Sequence, residues 1–273
     1  MNLNDIIDRT QQFLGSRPLA VYLAIKLRNQ CRGIIKYYLN SGSNHLKNGE
    51  AWLARQAASN SFIFIDVGAN VGNWTHFFRE AASGNVKGLL FEPSQQAVEK
   101  LRQRFQQVDE IEILEYAVSD EVGEMYFYEE PNAGETSSLV ASFSHSTAAK
   151  KIVQLTTIDI EVEKRNWEYI DFLKIDAEGY DFHVLRGASN LLCQERIGII
   201  QFEYNSPWAL VGSTLGSALR FLNSFGYKIF LLKETGLFEL RYEIYGEYFE
   251  YSNFVAIAPN RQTYFQAFVR GYI

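Results

Sequence analysis

The run Phe62-Ile63-Phe64-Ile65-Asp66-Val67-Gly68-Ala69-Asn70-Val71-Gly72 constrains the fold more than any other part of the chain. Bulky apolar residues of the buried-strand type end in an acid and a small-residue G-x-x-x-G turn. Side chains larger than Gly68 and Gly72 would obstruct a backbone that must come close to something bound. The run therefore reads as a strand entering a ligand-binding loop, with a nucleotide-like ligand as the natural candidate. The nicotinamide fingerprint G-x-G-x-x-G is not met, because Asn70 stands at its middle glycine and Thr75 lies three residues beyond Gly72. A tight strand-to-helix turn in another kind of α/β protein would look the same.

With 273 residues the chain is long enough for one large α/β domain and an appendage. Its 26 basic and 32 acidic residues give a net charge of −6, which weighs against nucleic acid as the default partner, since phosphate binding needs a basic face. Cys31 and Cys193 lie in unrelated segments without metal spacing and suggest buried thiols in a reducing compartment. No apolar run approaches the roughly 20 residues of a membrane span. Asp5 and Asp8 precede any basic cluster, which does not match a secretory signal. The expectation is a cytoplasmic protein with no membrane span.

Residues 3 to 57 carry apolar positions at helical spacing, with breaks near Gly15-Ser16-Arg17-Pro18 and Ser41-Gly42-Ser43. From there short apolar runs alternate with amphipathic stretches, the mark of strand-helix units and a largely parallel sheet. Strands are expected at Phe62 to Asp66, Val86 to Phe91, Ile111 to Tyr116, Phe172 to Asp176, Ile197 to Glu203, Tyr227 to Leu232 and Asn253 to Ala258. Two inserted strands are expected at Glu124 to Tyr128 and Val153 to Ile158, with a loop from Asn132 to Ser146 between them. Helices are expected at Trp74 to Ala82, at Gln95 to Gln106 with Ser94 as cap, through His183 and Leu192, and at Leu215 to Phe225. The high Tyr and Phe content, concentrated in the last fifty residues, fits aromatic-rich strands on a core or the lining of a pocket.

In such a sheet ligands sit beyond the carboxyl ends of the strands, so the polar residues there are the candidates. Glu92, 26 residues past Asp66, is placed to accept both hydroxyl hydrogens of a ribose. Asp120 could face an adenine amino group or be an ordinary turn residue. Lys174-Ile175-Asp176-Ala177-Glu178-Gly179-Tyr180-Asp181 concentrates acids that would be unfavourable in a dry core. Asp176 or Glu178 could serve as general base on a hydroxyl or hold a divalent metal, or Glu178 and Asp181 could simply favour the first turn of a helix. With Glu203 and Asn205 after the next strand, Asp176 resembles the magnesium site of catechol-type O-methyltransferases. Glu203 could instead bind substrate or act as the base without metal. His45, His76, His145 and His183 are too scattered to form a cluster.

The first loop resembles D-x-G-x-G-x-G, the opening motif of class I S-adenosylmethionine-dependent methyltransferases, with Asn70 replacing one glycine. The ordered set of Ile65 to Gly72, Phe91-Glu92-Pro93, Ala117-Val118-Ser119-Asp120, Thr157-Ile158-Asp159, Leu173 to Gly179, Val184 to Ala188 and Phe202-Glu203 is similar to the FkbM family of methyltransferases, over about residues 61 to 258. The resemblance implies a Rossmann-like class I fold: a mostly parallel seven-stranded sheet with helices on both faces, an inserted β segment, and an N-terminal helical extension. It implies an S-adenosylmethionine-dependent O-methyltransferase acting on a hydroxyl of a small molecule, a sugar, polyketide or peptide natural product. Asp66, Gly68, Ala69, Asn70, Gly72, Glu92, Pro93, Ala117, Asp120 and Asp176 would bind cofactor, the acid of the first motif lying near the methionine amino group. Asp176, Glu178 and Glu203 would carry the chemistry, Asp176, Glu203 and Asn205 any magnesium, and Thr136-Ser137-Ser138-Leu139 would line the cleft. Residues 1–60 would be a lid or homodimerisation element, and 61–273 the catalytic domain. N-methyl transfer, a nicotinamide-dependent oxidoreductase and a non-catalytic scaffold are the competing readings.

Overall fold

The computed structural model describes residues 2–39, 42, 44, 47–59, 61–131, 137–141 and 148–273. His45, His145, Thr136 and most of the 132–146 loop lie outside them. The chain forms two compact units, Met1–Ser41 and Gly42–Ile273.

The first unit is a pair of helices, α1 (Leu3–Gly15) and α2 (Pro18–Tyr38). The Asn2 side chain accepts from the Asp5 backbone N–H at 2.9 Å, and Asp5 accepts in return from Asn2 N–H at 3.1 Å, so α1 starts with a reciprocal cap. Pro18 opens α2, where its missing N–H removes nothing from the helix. The break expected at Gly15 to Pro18 is the junction between them.

The second unit runs α3 (Glu50–Ala58), β1 (Ile63–Val67), α4 (Asn73–Ala81), β2 (Lys87–Phe91), α5 (Gln95–Arg104), β3 (Ile111–Leu114), β4 (Ala117–Val118), β5 (Gly123–Glu129), β6 (Ala149–Thr156), α6 (Ile158–Lys164), β7 (Ile170–Ile175), α7 (Asp181–Arg186), α8 (Ser189–Cys193), β8 (Ile197–Tyr204), α9 (Leu215–Ser224), β9 (Lys228–Lys233), β10 (Gly236–Glu239), β11 (Ser252–Ile257) and β12 (Val269–Tyr272). The main sheet has the order β12-β10-β9-β11-β8-β7-β1-β2-β3, and β4-β6-β5 form a small second sheet. Strands β3, β2, β1, β7 and β8 are mutually parallel, while β11 is antiparallel to both β8 and β9. The chain leaves β1 toward β2 and returns on its other side through β7, so the switch in strand order falls between β1 and β7.

The sheet has nine strands where seven were expected. The additional two, β10 and β12, are four residues each, too short to register as a periodicity. The expected strand through Ile158 ends at Thr156, because the Thr157 side chain accepts from Ile160 N–H at 3.2 Å and starts α6. The helix expected through His183 and Leu192 is broken at Gly187, where a Cβ would stand 2.1 Å from the Ser119 carbonyl oxygen.

Core packing also moves the expected domain boundary from residue 60 to near residue 42. Helix α3 buries Leu53, Ala54, Ala57 and Ala58 in the same cluster as Phe64, Phe78 and Phe172. Trp74, Phe64, Phe78 and Phe172 meet with ring centroids 4.8–6.1 Å apart, each large buried side chain contributing about 1.5–3 kcal/mol. Every residue of β7 and β8 is buried, as a strand covered on both faces requires.

Candidate active site

A cavity of about 490 Å³ opens beyond the carboxyl ends of β1, β2, β7 and β8, at the switch point, with the small sheet as a further wall. Gly68, Ala69, Asn70, Glu92, Pro93, Ala117, Asp176, Glu178 and Glu203 line it, as do Ser137, Ser138 and Leu139. Asp66, Gly72, Asp120 and Asn205 do not.

Both glycines of the first loop have close neighbours within the protein. Gly68 has φ +75°, and a Cβ there would lie 1.9 Å from the Asp176 carbonyl oxygen. Gly72 has φ +79° and would meet the Phe105 ring at 2.6 Å. Both glycines are closely approached within the protein, by the loop after β7 and by the end of α5, while Gly68 also lines the cavity. Gly68 and Ala69 donate to the Phe91 carbonyl at 2.9 and 3.1 Å, which tethers the turn to the end of β2. Asn70 takes a left-handed φ of +47°, tolerated by asparagine, and donates its N–H to Glu92 Oε2 at 2.8 Å.

Glu92 is buried and its other oxygen accepts Ser94 N–H at 2.8 Å. Burial pushes its pKa up to about 7, against the pull of the Ser94 and Asn70 N–H groups and with the help of nearby Asp66 and Asp176. Each carboxylate oxygen keeps a lone pair beyond these bonds.

Asp66 lies behind the cavity wall, fully buried, accepting from Thr75 Oγ1 at 2.6 Å and facing Lys174 Nζ at 3.5 Å. Lys174 also reaches Asp176 Oδ2 at 3.1 Å. Burial works against the Lys174 charge, but Asp176, Asp66 and Glu50 outweigh it and hold its pKa above the ordinary range. Asp66 is thus the buried counter-ion of Lys174, and Lys174, not Asp66, lines the cavity.

The loop after β7 carries two consecutive left-handed residues, Glu178 (φ +46°) and Gly179 (φ +107°). Ser138 Oγ donates to the Glu178 carbonyl at 2.8 Å. From the start of α7 the buried Asp181 accepts three backbone N–H groups, those of Ala177 (3.4 Å), Gly179 (3.3 Å) and Glu203 (3.3 Å), and so ties this loop to β8. Burial raises the Asp181 pKa to about 7, Asp176 adding to the effect.

Glu203 is buried, and Asn205 donates its amide to Glu203 Oε1 at 2.6 Å. Burial and then repulsion from Asp176, Glu178 and Asp181 raise the Glu203 pKa well above the carboxylate range. Among the described residues no three His, Cys, Asp or Glu side chains gather as a metal-holding group. Asn205 lies off the cavity lining with its amide nitrogen turned onto Glu203. Of the catechol-type ligand set expected from Asp176, Glu203 and Asn205, the first two line the cavity and the third does not.

Asp120 is an exposed residue paired with Arg186 at 2.6 Å. His183 stacks near Tyr180, its pKa lowered by burial and then by Arg186, and His76 pairs with Glu80 at 3.3 Å on the surface. Sequence reading missed Lys174, Glu50, Trp74 and Tyr251, all cavity-lining. Lys174 had a signal, since a cation inside the apolar run Phe172 to Ile175 demands buried partners. Glu50 and Tyr251 had none: Asn253 Nδ2 joins them, at 3.1 Å to Glu50 Oε1 and 3.3 Å to the Tyr251 hydroxyl, across 201 residues of chain.

A Rossmann-like sheet with five adjacent parallel strands, the reversed β11 beside them and further reversed strands, β10 and β12, at the far edge, and a cavity over β1 and β2, define the class I methyltransferase fold. The methyltransferase FkbM domain model matches residues 66–229, and the chain belongs to that family. No curated protein sequence matches the chain. Among solved structures, the methyltransferase FkbM from Methylobacillus flagellatus KT is similar at 13% identity and TM-score 0.46 over 71% of this chain, which spans 43% of that one. An O-methyltransferase from Bacillus cereus solved with SAH is similar at 10% identity and TM-score 0.39, covering 84% of this chain and 89% of that one. The N-methyltransferase NodS from Bradyrhizobium japonicum WM9 gives 9% and 0.41, covering 77% and 93%.

Proposed function

We propose that this chain is an S-adenosylmethionine-dependent methyltransferase whose acceptor is a hydroxyl group of a small molecule. The observation that carries the reading is Glu92: a buried carboxylate on the cavity wall, fixed by two backbone N–H groups and keeping a lone pair on each oxygen for the two hydroxyls of a ribose. The Gly68 to Asn70 turn lies beside it, and Pro93, Ala117 and Val118 offer the apolar surface on which a purine packs. The bound cofactor supplies a methyl group on a positively charged sulfur, open to in-line displacement by an oxygen.

Asp176, about a third exposed and oriented by Lys174, is the group placed to take the hydroxyl proton. Glu203 presents its carboxyl group to the acceptor, and Glu178 lines the same end. The acidic character of this end favours a hydroxyl over an amine. Glu50, Asp176 and Glu178 would raise the pKa of an amine and keep it protonated, without a nucleophilic lone pair.

Calorimetric titration with S-adenosylhomocysteine tests the assignment, with the oxidised nicotinamide dinucleotide as control. Glu92→Gln should weaken binding roughly 10- to 100-fold, by loss of charge-assisted bonds to ribose. Because hydroxyls donate to the ionised carboxylate, wild-type affinity should climb as pH rises to about 7 and then level off, and Glu92→Gln should flatten that profile. Absence of saturable binding, or preference for the dinucleotide, refutes the reading. A methyl-transfer screen of sugars and phenols against amines then separates O- from N-transfer.

A further inference from the structure

The helical pair α1–α2 is built unlike a segment that stays in water. No residue of either helix is buried, although both are rich in large apolar side chains. Leu3 is 71% exposed, Phe13 60%, Leu27 66% and Ile34 71%. At 100° per residue, Leu3, Ile6, Ile7, Phe13 and Leu14 fall on one side of α1, with Asp5, Asp8 and Arg9 on the other. In the second half of α2, Leu27, Cys31, Ile34 and Tyr38 share one face. Arg28, Arg32 and Lys36, spaced four apart, form a stripe that winds from one flank of that face toward the opposite side of the helix, and Lys26 stands on the other flank.

Charge is partitioned just as sharply. No acidic residue occurs between Asp8 and Glu50, whereas Arg9, Arg17, Lys26, Arg28, Arg32, Lys36 and Lys47 all fall in that interval. Residues 1–41 hold six basic and two acidic residues, a net +4 in a chain whose total is −6. Apolar faces flanked by basic residues, in an acid-free segment, match an anionic lipid surface: side chains enter the acyl boundary while Lys and Arg reach the headgroups. No helix of the described residues is long and apolar enough to cross a membrane, which leaves lying in the interface.

The geometry points to α1–α2 as an in-plane anchor that holds this protein on an anionic membrane surface. A second copy fits the same surface poorly. Pairing α2 with α2 would bring two acid-free, basic helices together, and like charges at helix-packing distance repel. The first half of α2 is also apolar around its circumference, with Leu19, Val21, Tyr22, Leu23 and Ile25 all at least 39% exposed. One helix partner would cover only one side of it. Nucleic acid would engage the basic stripe but leave the apolar faces in water.

The test is co-sedimentation of the full chain with phosphatidylglycerol-containing vesicles and with pure phosphatidylcholine vesicles. Binding to the anionic vesicles, much weaker on the neutral ones and reduced by salt, is expected. The triple change Arg28→Glu, Arg32→Glu and Lys36→Glu should lower partitioning on the order of 100-fold or more, each basic residue being worth about fivefold. Phe13→Gln with Leu27→Gln should lower it as well, which electrostatic adhesion alone would not. All five residues are exposed, so S-adenosylhomocysteine affinity and circular dichroism serve as folding controls. Absence of binding to anionic vesicles, or binding insensitive to both variants, overturns the proposal. If the chain instead sediments as a dimer that dissociates on Leu27→Glu with Ile34→Glu, this face is an interface between copies.

Discussion

The loops after β1 and β7 solve the same problem differently. Each leaves a central parallel strand, turns sharply through left-handed residues and lines one end of the cavity. The first is held by a carboxylate from a neighbouring strand end, Glu92, which accepts Asn70 N–H at 2.8 Å and is itself fixed by Ser94 N–H. The second is held by Asp181, which accepts Ala177 and Gly179 N–H through longer bonds of 3.4 and 3.3 Å and ties the loop to β8 through Glu203 N–H at 3.3 Å. The left-handed position of the first is an asparagine, a residue suited to it; that of the second is a glutamate, which is not. The first loop is therefore locally relaxed and tightly pinned, while the second stores strain under a looser staple. That is the pattern expected when one loop only binds and the other positions reacting groups.

The comparison can be broken most severely where the loops touch. Gly68→Ala puts a methyl group into the Asp176 carbonyl and a Cβ at φ +75°, and should destabilise the domain by at least about 4 kcal/mol, read from a denaturant melt. A loss under about 1 kcal/mol would show that the loops are not in contact.

A somewhat smaller effect sharpens the role of Asp181. Its folded pKa, about 7, lies above the ordinary value of 3.8. The native state therefore binds its proton more tightly than the unfolded chain, and this contribution to stability is full below pH 3.8 and lost as pH rises through about 7. Asp181→Asn removes the titration and keeps one acceptor. The stability of the variant relative to wild type should thus increase by roughly 2–4 kcal/mol between about pH 4 and pH 8. Parallel thermal melts at the two pH values decide it, and a constant difference would mean that Asp181 titrates normally.

The smallest effect concerns strain. Glu178→Gly should stabilise the fold by up to about 1 kcal/mol while lowering turnover, because relief of the left-handed penalty comes with loss of a cavity carboxylate. Asn70→Gly, the matching change in the first loop, should be near neutral in stability.

Much of the first loop was legible in sequence because its signals are local. A strand run, an acid and two glycines stand within eleven residues, and Glu92 follows at the end of the next strand. The glycines were correctly singled out, yet part of their reason lay elsewhere: Gly68 clears the loop after β7, and Gly72 clears α5, neither visible in the chain around them. The second loop was legible in composition but not in division of labour. Three acids in six residues look equivalent until burial separates a stapling Asp181 from the cavity-lining Asp176 and Glu178. The additional edge strands escaped notice because four-residue segments give no usable alternation. Glu50 and Tyr251 converge only through the fold.

The contact between Gly68 and the Asp176 carbonyl also limits how the site can diverge. As long as that carbonyl stays in place, position 68 is closed to every side chain, and a shift of either loop obliges the other to move with it. New acceptor preferences can arise through side chains pointing into the cavity, such as those of Glu50, Glu178 and Tyr251, none of which forms that crossing. Specificity in this architecture is free to drift around a junction that is not.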